Sequence, residues 1–289
     1  MIQTADRDIY LPQSPWKARI RRHPRIAGGG ALLAVILAAT ICAPLLISGS
    51  PTRLNPAVRL TEPGNAHWFG TDMYGRDVYA RTLYGGRISL AVALSVSLLT
   101  TAFGVSIGLV SGYSRLLDGI IMRIVDGMMA IPAILVAIAL MALMRASLRN
   151  VIIAITVSEV PRMVRLVRSV VLTLREQTYV EAATAVGAGL LRNMVRHIVP
   201  NTLGPIIVQA TYVMAVAVII EAYLSFLGAG TPPDVPTWGN IMAEGRALFQ
   251  LAFWIILFPG LFLAVTVLGF NLIGDGLRDA LDPRLSRSI

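Results

Sequence analysis

Residues 178–201 read TYVEAATAVGAGLLRNMVRHIVPN. They form the only long polar interruption in the second half of a very apolar chain. Thr178 and Glu181 stand at the spacing of a capping box, which predicts a helix start with its first amide donors satisfied. Ala182, Ala183 and Ala185 give that helix a small-residue surface that another protein can approach closely. Gly187 tolerates positive φ and permits a sharp change of direction. Leu190, Leu191, Met194, Val195 and Ile198 then recur at helical spacing, with Arg192, Asn193 and Arg196 between them. Pro200 is expected to end this second helix. The pattern predicts two short helices on a membrane surface, between two spans, with one face offered to a partner.

The rest of the chain supplies the membrane. Of its 289 residues, 55% are hydrophobic and 14% charged, and the mean hydropathy is +0.69. Soluble domains carry roughly 25% charged residues, so a soluble core of this size is excluded in favour of an all-α integral membrane protein. The net charge of +9 is not arranged as a basic patch interleaved with stacking aromatics, so nucleic acid is not an expected partner and membrane lipid is. The single cysteine, Cys42, rules out an intrachain disulfide and offers no metal cluster.

Six apolar segments are each long enough to cross a bilayer, which takes about 20 residues. After an Arg-rich tail, 1–25, residues 26–48 form the first span. The run is too long for a signal peptide and lacks a cleavage site. A Gly- and Pro-rich loop, 49–87, precedes a core of 88–285. Within the core the spans are 88–112, 118–144 with a bend near Pro132, 149–172, 203–227 and 251–273, and the polar loop is 173–202. Residues 286–289 end the tail. Seventeen Arg and Lys lie on the side shared by both termini and residues 178–201, against eight on the other side. Cationic loops stay in the cytoplasm, so both termini and the 173–202 loop are expected there.

Gly104, Gly108 and Gly112 repeat the GxxxG pattern. Small residues let helix backbones touch in lipid, so these three predict a close crossing, within the bundle or at a subunit interface. Charges inside spans are costly and default to function or pairing. Arg123 with Asp126, and Glu159 with Arg162, have the spacing of internal pairs. Glu221 has no evident partner within one turn and is the best single candidate for lining a polar pathway; a partner on another helix is the alternative. His67, Asp72 and Asp77 share a loop, but their spacing matches no metal motif.

Several of these motifs carry a resemblance. Glu181-Ala182-Ala183, Gly187 and Pro200, at their spacings, resemble the EAA loop of bacterial ABC-importer permeases. The ending His197-Ile198-Val199-Pro200-Asn201 is similar to the dipeptide, oligopeptide and nickel group. So are His67 to Arg87, Glu221 to Gly239 and Asn271 to Arg284, which resemble C-type subunits of that group. The resemblance implies a type I ABC importer permease with six transmembrane helices in the bacterial inner membrane. It implies that the loop is a coupling helix docking on an ATPase through Glu181, Ala182, Ala183, Gly187, His197 and Pro200. It further implies a second homologous permease subunit, two cytoplasmic ATPases and an extracytoplasmic substrate-binding protein. The 67–87 loop would meet that binding protein or gate the outer mouth; a self-contained structural loop is the alternative.

The chain has no P-loop, and its one lysine, Lys17, stands outside any GxxxxGK[ST] pattern. ATP and Mg are therefore expected on partner subunits, with no catalytic residue, cofactor or metal here. The rival function is a proton-coupled secondary transporter using Glu221, Glu159 and Asp126. A membrane enzyme finds no HExxH or GxSxG to work with.

Overall fold

The computed structural model describes residues 24–47 and 50–281. Most of the N-terminal tail and the C-terminal end, with Asp282-Pro283-Arg284, lie outside the described residues. Among the described residues, nine helices of eight or more residues carry the fold: α1 Pro24–Ile41, α2 Val78–Tyr113, α3 Arg115–Met129, α4 Ala133–Leu143, α5 Leu148–Arg175, α6 Thr178–Ala185, α7 Val199–Phe226, α8 Trp238–Gly245 and α9 Trp254–Leu281. Residues 42–77 separate α1 from α2, and the other connections are shorter.

Among the described residues, four helical stretches are long and apolar enough to cross a membrane: α1, α2, Leu190–Phe226 and α9. A fifth is reached if α3 and α4 count as one span, although they are turned 88° from each other. The bend foreseen at Pro132 is therefore nearly a right angle. Pro132 is extended, with ψ 133°, and caps α4, because proline cannot donate to the preceding turn. α5 fails on apolarity alone. Arg149, Glu159, Arg162, Arg165, Arg168 and Arg175 lie along its 28 residues. Length and apolarity thus give four or five spans, short of six.

α2 begins at Val78, ten residues before the boundary drawn from hydropathy. Asp77 is the reason: its carboxylate accepts from the Ala80 amide and starts the helix early. The end of the polar loop is thus the first three turns of a 36-residue helix. α9 likewise continues to Leu281, past the apolar run.

The core is where α2 meets α5 and α7. Val92, Val96, Ile155, Val218 and Leu224 are buried together there. α1 packs on α9. The three glycines of α2 sit against α5. A Cβ on Gly104 would lie 2.4 Å from Met163 Cγ, one on Gly108 2.7 Å from Val167 Cβ, and one on Gly112 2.7 Å from Val171 Cβ. No side chain fits. The crossing is within this chain. The contacts advance by four residues on both helices at once, so α2 and α5 run parallel.

The polar loop before α2 is compact. Asp72 accepts from Arg76 Nε at 2.6 Å and Arg81 Nη1 at 2.7 Å. Arg81 reaches on to Glu244 of α8 at 2.5 and 3.0 Å, and Arg76 bonds the same carboxylate. Asp72 and Arg81 are buried, and burial is tolerable because each charge is paired and hydrogen-bonded. Trp254 Nε1 donates to the Thr71 carbonyl and Trp238 Nε1 to the Thr82 carbonyl. His67 Nδ1 pairs with Asp77 at 2.8 Å. With Asp72 committed to two arginines, these three side chains do not converge. Among the described residues no group of three His, Cys, Asp or Glu could hold a metal ion.

Candidate functional site

α6 projects beyond the end of α5. Its start differs from the capping box read in the sequence. Gln177 is the cap residue, no side chain caps the turn, and Thr178 is already helical. Its end is well defined. Gly187 has φ +91°, its amide donates to the Thr184 carbonyl, and the Ala188 amide donates to Ala183. These two bonds close the last turn as a Schellman motif, which needs a left-handed residue at the Gly187 position. Asn193, buried, donates from Nδ2 to Thr184 Oγ1 at 2.9 Å and ties the following turn back to α6.

Pro200 does not end the second helix. Leu190–Asn193 passes through a π turn, Met194–Ile198, directly into α7. The Val199 amide bonds Met194 O, five residues back. That wider turn precedes the residue that lacks a donor and would otherwise crowd the turn before it. Pro200 therefore sits in the first turn of α7, where proline is tolerated. The two short helices become one short helix and the root of a long one.

Glu181, Ala182, Gly187 and Pro200 are exposed, whereas Ala183 and His197 are half-buried. His197 stands 6.1 Å from the Tyr179 ring. Of the apolar residues at helical spacing, only Ile198 is buried. Leu190, Leu191 and Val195 are exposed, and so is Val186, at 90%. A clustered apolar surface on a projecting loop marks an interaction site. Val186 was missed in the sequence because it is a single apolar residue among alanines. Its signal was its place immediately before the turning glycine.

Glu221 is fully buried and faces no open space. The Ser89 hydroxyl of α2 donates to one carboxylate oxygen at 3.0 Å, and Ser225 donates to the other at 2.9 Å. Ser225 is one turn on, so a partner did stand within reach in the sequence. The Trp238 amide reaches Ser89, and Asn240 binds Thr231 Oγ1 beside them. The group knits α2, α7 and α8 together. Glu221→Leu is expected to lower stability by about 1–3 kcal/mol, the cost of leaving buried hydroxyls unpaired, as read by thermal unfolding in detergent. A transport defect at unchanged stability would instead assign Glu221 to the pathway.

Asp126 does not pair with Arg123. It meets Arg165 of α5 at 2.5 Å, because α3 lies across α5 and turns that carboxylate toward it. Asp118 likewise binds Arg168 through both Nε and Nη2. Glu159 and Arg162 lie 3.4 Å apart on α5.

Comparison with known proteins places this architecture. Residues 101–287 match the family described as binding-protein-dependent transport system inner membrane component. The dipeptide transport system permease protein of Alkalihalophilus pseudofirmus is 44% identical over 96% of this chain and 93% of its own. The glutathione transport system permease protein of Pectobacterium atrosepticum is 40% identical over 97% and 94%. Among solved structures, the inward-facing MetNI methionine ABC transporter aligns with a TM-score of 0.58 at 20% identity, covering 70% of this chain and 96% of that one. That likeness speaks for the fold alone. With a matched region running from the middle of α2 to beyond α9, and full-length relatives of this similarity, the chain belongs to the family of inner-membrane components of binding-protein-dependent transport systems.

Proposed function

We propose that this chain is half of the translocation route of an ATP-driven importer of dipeptides and oligopeptides. A second, related permease subunit would supply the other half. Two cytoplasmic ATPases would drive it, and an extracytoplasmic binding protein would deliver the solute. The observation that carries the coupling role is α6. It is a short helix closed by a left-handed glycine, standing clear of the bundle, with Val186, Leu190 and Leu191 exposed around it. Residues Glu181, Ala182, Ala183, Gly187, His197 and Pro200 frame that surface. Closure of the ATPases would move α6, and rigid-body rocking of the spans would switch access to the route. The names of the similar permeases support the peptide substrate.

Chain direction supports a reading of six spans. Because α2 and α5 run parallel, the residues between them must return across the same thickness, which makes α3 and α4 together a crossing. With α1, α2, the α3–α4 pair, α5, α7 and α9 as the spans, both termini and α6 would lie in the cytoplasm, the side with more Arg and Lys. Reporter fusions after Ser50 and after Thr178 are expected to report opposite sides of the membrane. Both reporting the same side would refute this topology.

A further inference from the structure

α5 exposes an unusual face. From its middle to its end, the exposed positions are Arg162, Arg165, Ser169 and Thr173, one continuous stripe at helical spacing. Along their middles the other membrane-length helices expose apolar side chains, such as Leu98 and Phe103 of α2, Ile207 of α7 and Leu261 of α9, and exposed charges such as Arg87 and Arg278 stand nearer their ends. Those suit lipid. The α5 stripe does not, since a guanidinium held at mid-bilayer against lipid costs at least about 2.5–3.5 kcal/mol. Arg162 sits at the middle of the 28-residue helix.

The arginines are held from behind. Glu159, buried to 1% exposure, lies 3.4 Å from Arg162, whose side chain is 48% exposed. Only one Glu159 oxygen is engaged; the other, Oε1, is buried without a hydrogen-bond partner among the described residues. Arg165, 47% exposed, is paired with Asp126. A guanidinium carries five N–H donors in a planar fork suited to a carboxylate. Arg162 spends one of them on Glu159 and presents the rest to open space.

We propose that the Arg162–Thr173 face of α5 lines the water-filled route, and that Arg162, positioned by Glu159, meets the carboxylate of the passing solute. The carboxylate assignment rests on the peptide-importer reading above, since every free peptide carries one at its C-terminus. Glu159 already shares the guanidinium, so the hold is weak enough to release, as conduction requires.

The test uses the assembled complex in a Cys42→Ala background. Arg162→Cys, Ser169→Cys and, as a lipid-side control, Leu98→Cys are treated with a charged, membrane-impermeant thiol reagent. Arg162→Cys and Ser169→Cys are expected to react and Leu98→Cys not to. Silence at both stripe positions in every nucleotide state would show a face covered by the partner subunit and overturn the proposal. In the second arm, Arg162→Gln is expected to slow uptake of a free-acid peptide by roughly tenfold or more, the loss of a charge-assisted hydrogen bond, with Arg162→Lys partly rescuing it. The same peptide with a C-terminal amide should be slowed far less by Arg162→Gln. Equal slowing of both peptides would overturn the carboxylate role. The double variant Glu159→Gln, Arg162→Gln removes both charges of the pair and repeats the comparison if the single variant misfolds. A Ser169→Cys complex that reacts at the stripe but carries no peptide would refute the substrate reading and leave the lining intact.

Discussion

Gly187→Pro is expected to leave the bundle inserted and to cut ATP-driven uptake by roughly tenfold or more, within the range of coupling between linked sites. The cause is conformational. A Cβ at Gly187 would meet nothing within 4 Å, so crowding is not the issue. The backbone there has φ +91°, and proline is locked near −65°. Proline also removes the amide that bonds Thr184. Both Schellman bonds fail, and α6 loses its fixed angle to the root of α7. Gly187→Ala keeps the amide and strains only φ, at about 1 kcal/mol, so it should show a graded, milder loss. The comparison is made on purified, reconstituted complexes, with insertion checked by yield and size exclusion. Wild-type uptake from Gly187→Pro would remove α6 from the coupling path.

Gly108→Leu is expected to be the most damaging substitution in the bundle. Its first carbon alone would stand 2.7 Å from Val167 Cβ and 2.9 Å from the Val164 carbonyl oxygen. The oxygen belongs to helical backbone and cannot rotate away. α2 and α5 would have to separate along the whole seam, taking Gly104 and Gly112 out of contact. Overpacking typically costs 1–3 kcal/mol and occasionally more, and the upper end applies where backbone is the obstacle. Thermal unfolding in detergent should show a large loss for Leu and a smaller one for Ala. A Leu variant as stable as the wild type would mean that α2 and α5 do not meet as described.

The GxxxG repeat announced a close helix crossing, because small residues at every fourth position have few other uses in lipid. It could not name the partner helix, which depends on tertiary packing. Gly187 was readable as a turn, since a glycine between two helical patterns has one common role. Thr178 was misread as a cap because the capping box is a spacing rule, and Gln177 already supplied the start. Pro200 was misread as a stop because the rule that proline ends helices takes no account of a π turn before it. Arg123 and Asp126 had the spacing for a pair, but the 88° turn at Pro132 laid α3 across α5 and handed Asp126 to Arg165. Glu221 looked solitary because only charged groups were sought as partners, whereas the groups that meet it are hydroxyls: Ser225 one turn on and Ser89, 132 residues away. The polar face of α5 was hidden in plain view. Its charges made the span look poor, and only the exposed positions show that Arg162 and Arg165 share one side with Ser169 and Thr173.

This chain is expected to move solute only as part of a larger, ATP-driven assembly. The direct measurement is uptake of radiolabelled dipeptide into proteoliposomes, with an extravesicular binding protein and internal ATP. The chain is tested alone, with a second permease subunit, and with that subunit and the two ATPases. Uptake is predicted only in the last preparation, and only with ATP. Uptake by the chain alone, driven by a proton gradient, would contradict the account and establish the secondary-transporter alternative built on Glu159, Glu221 and Asp126.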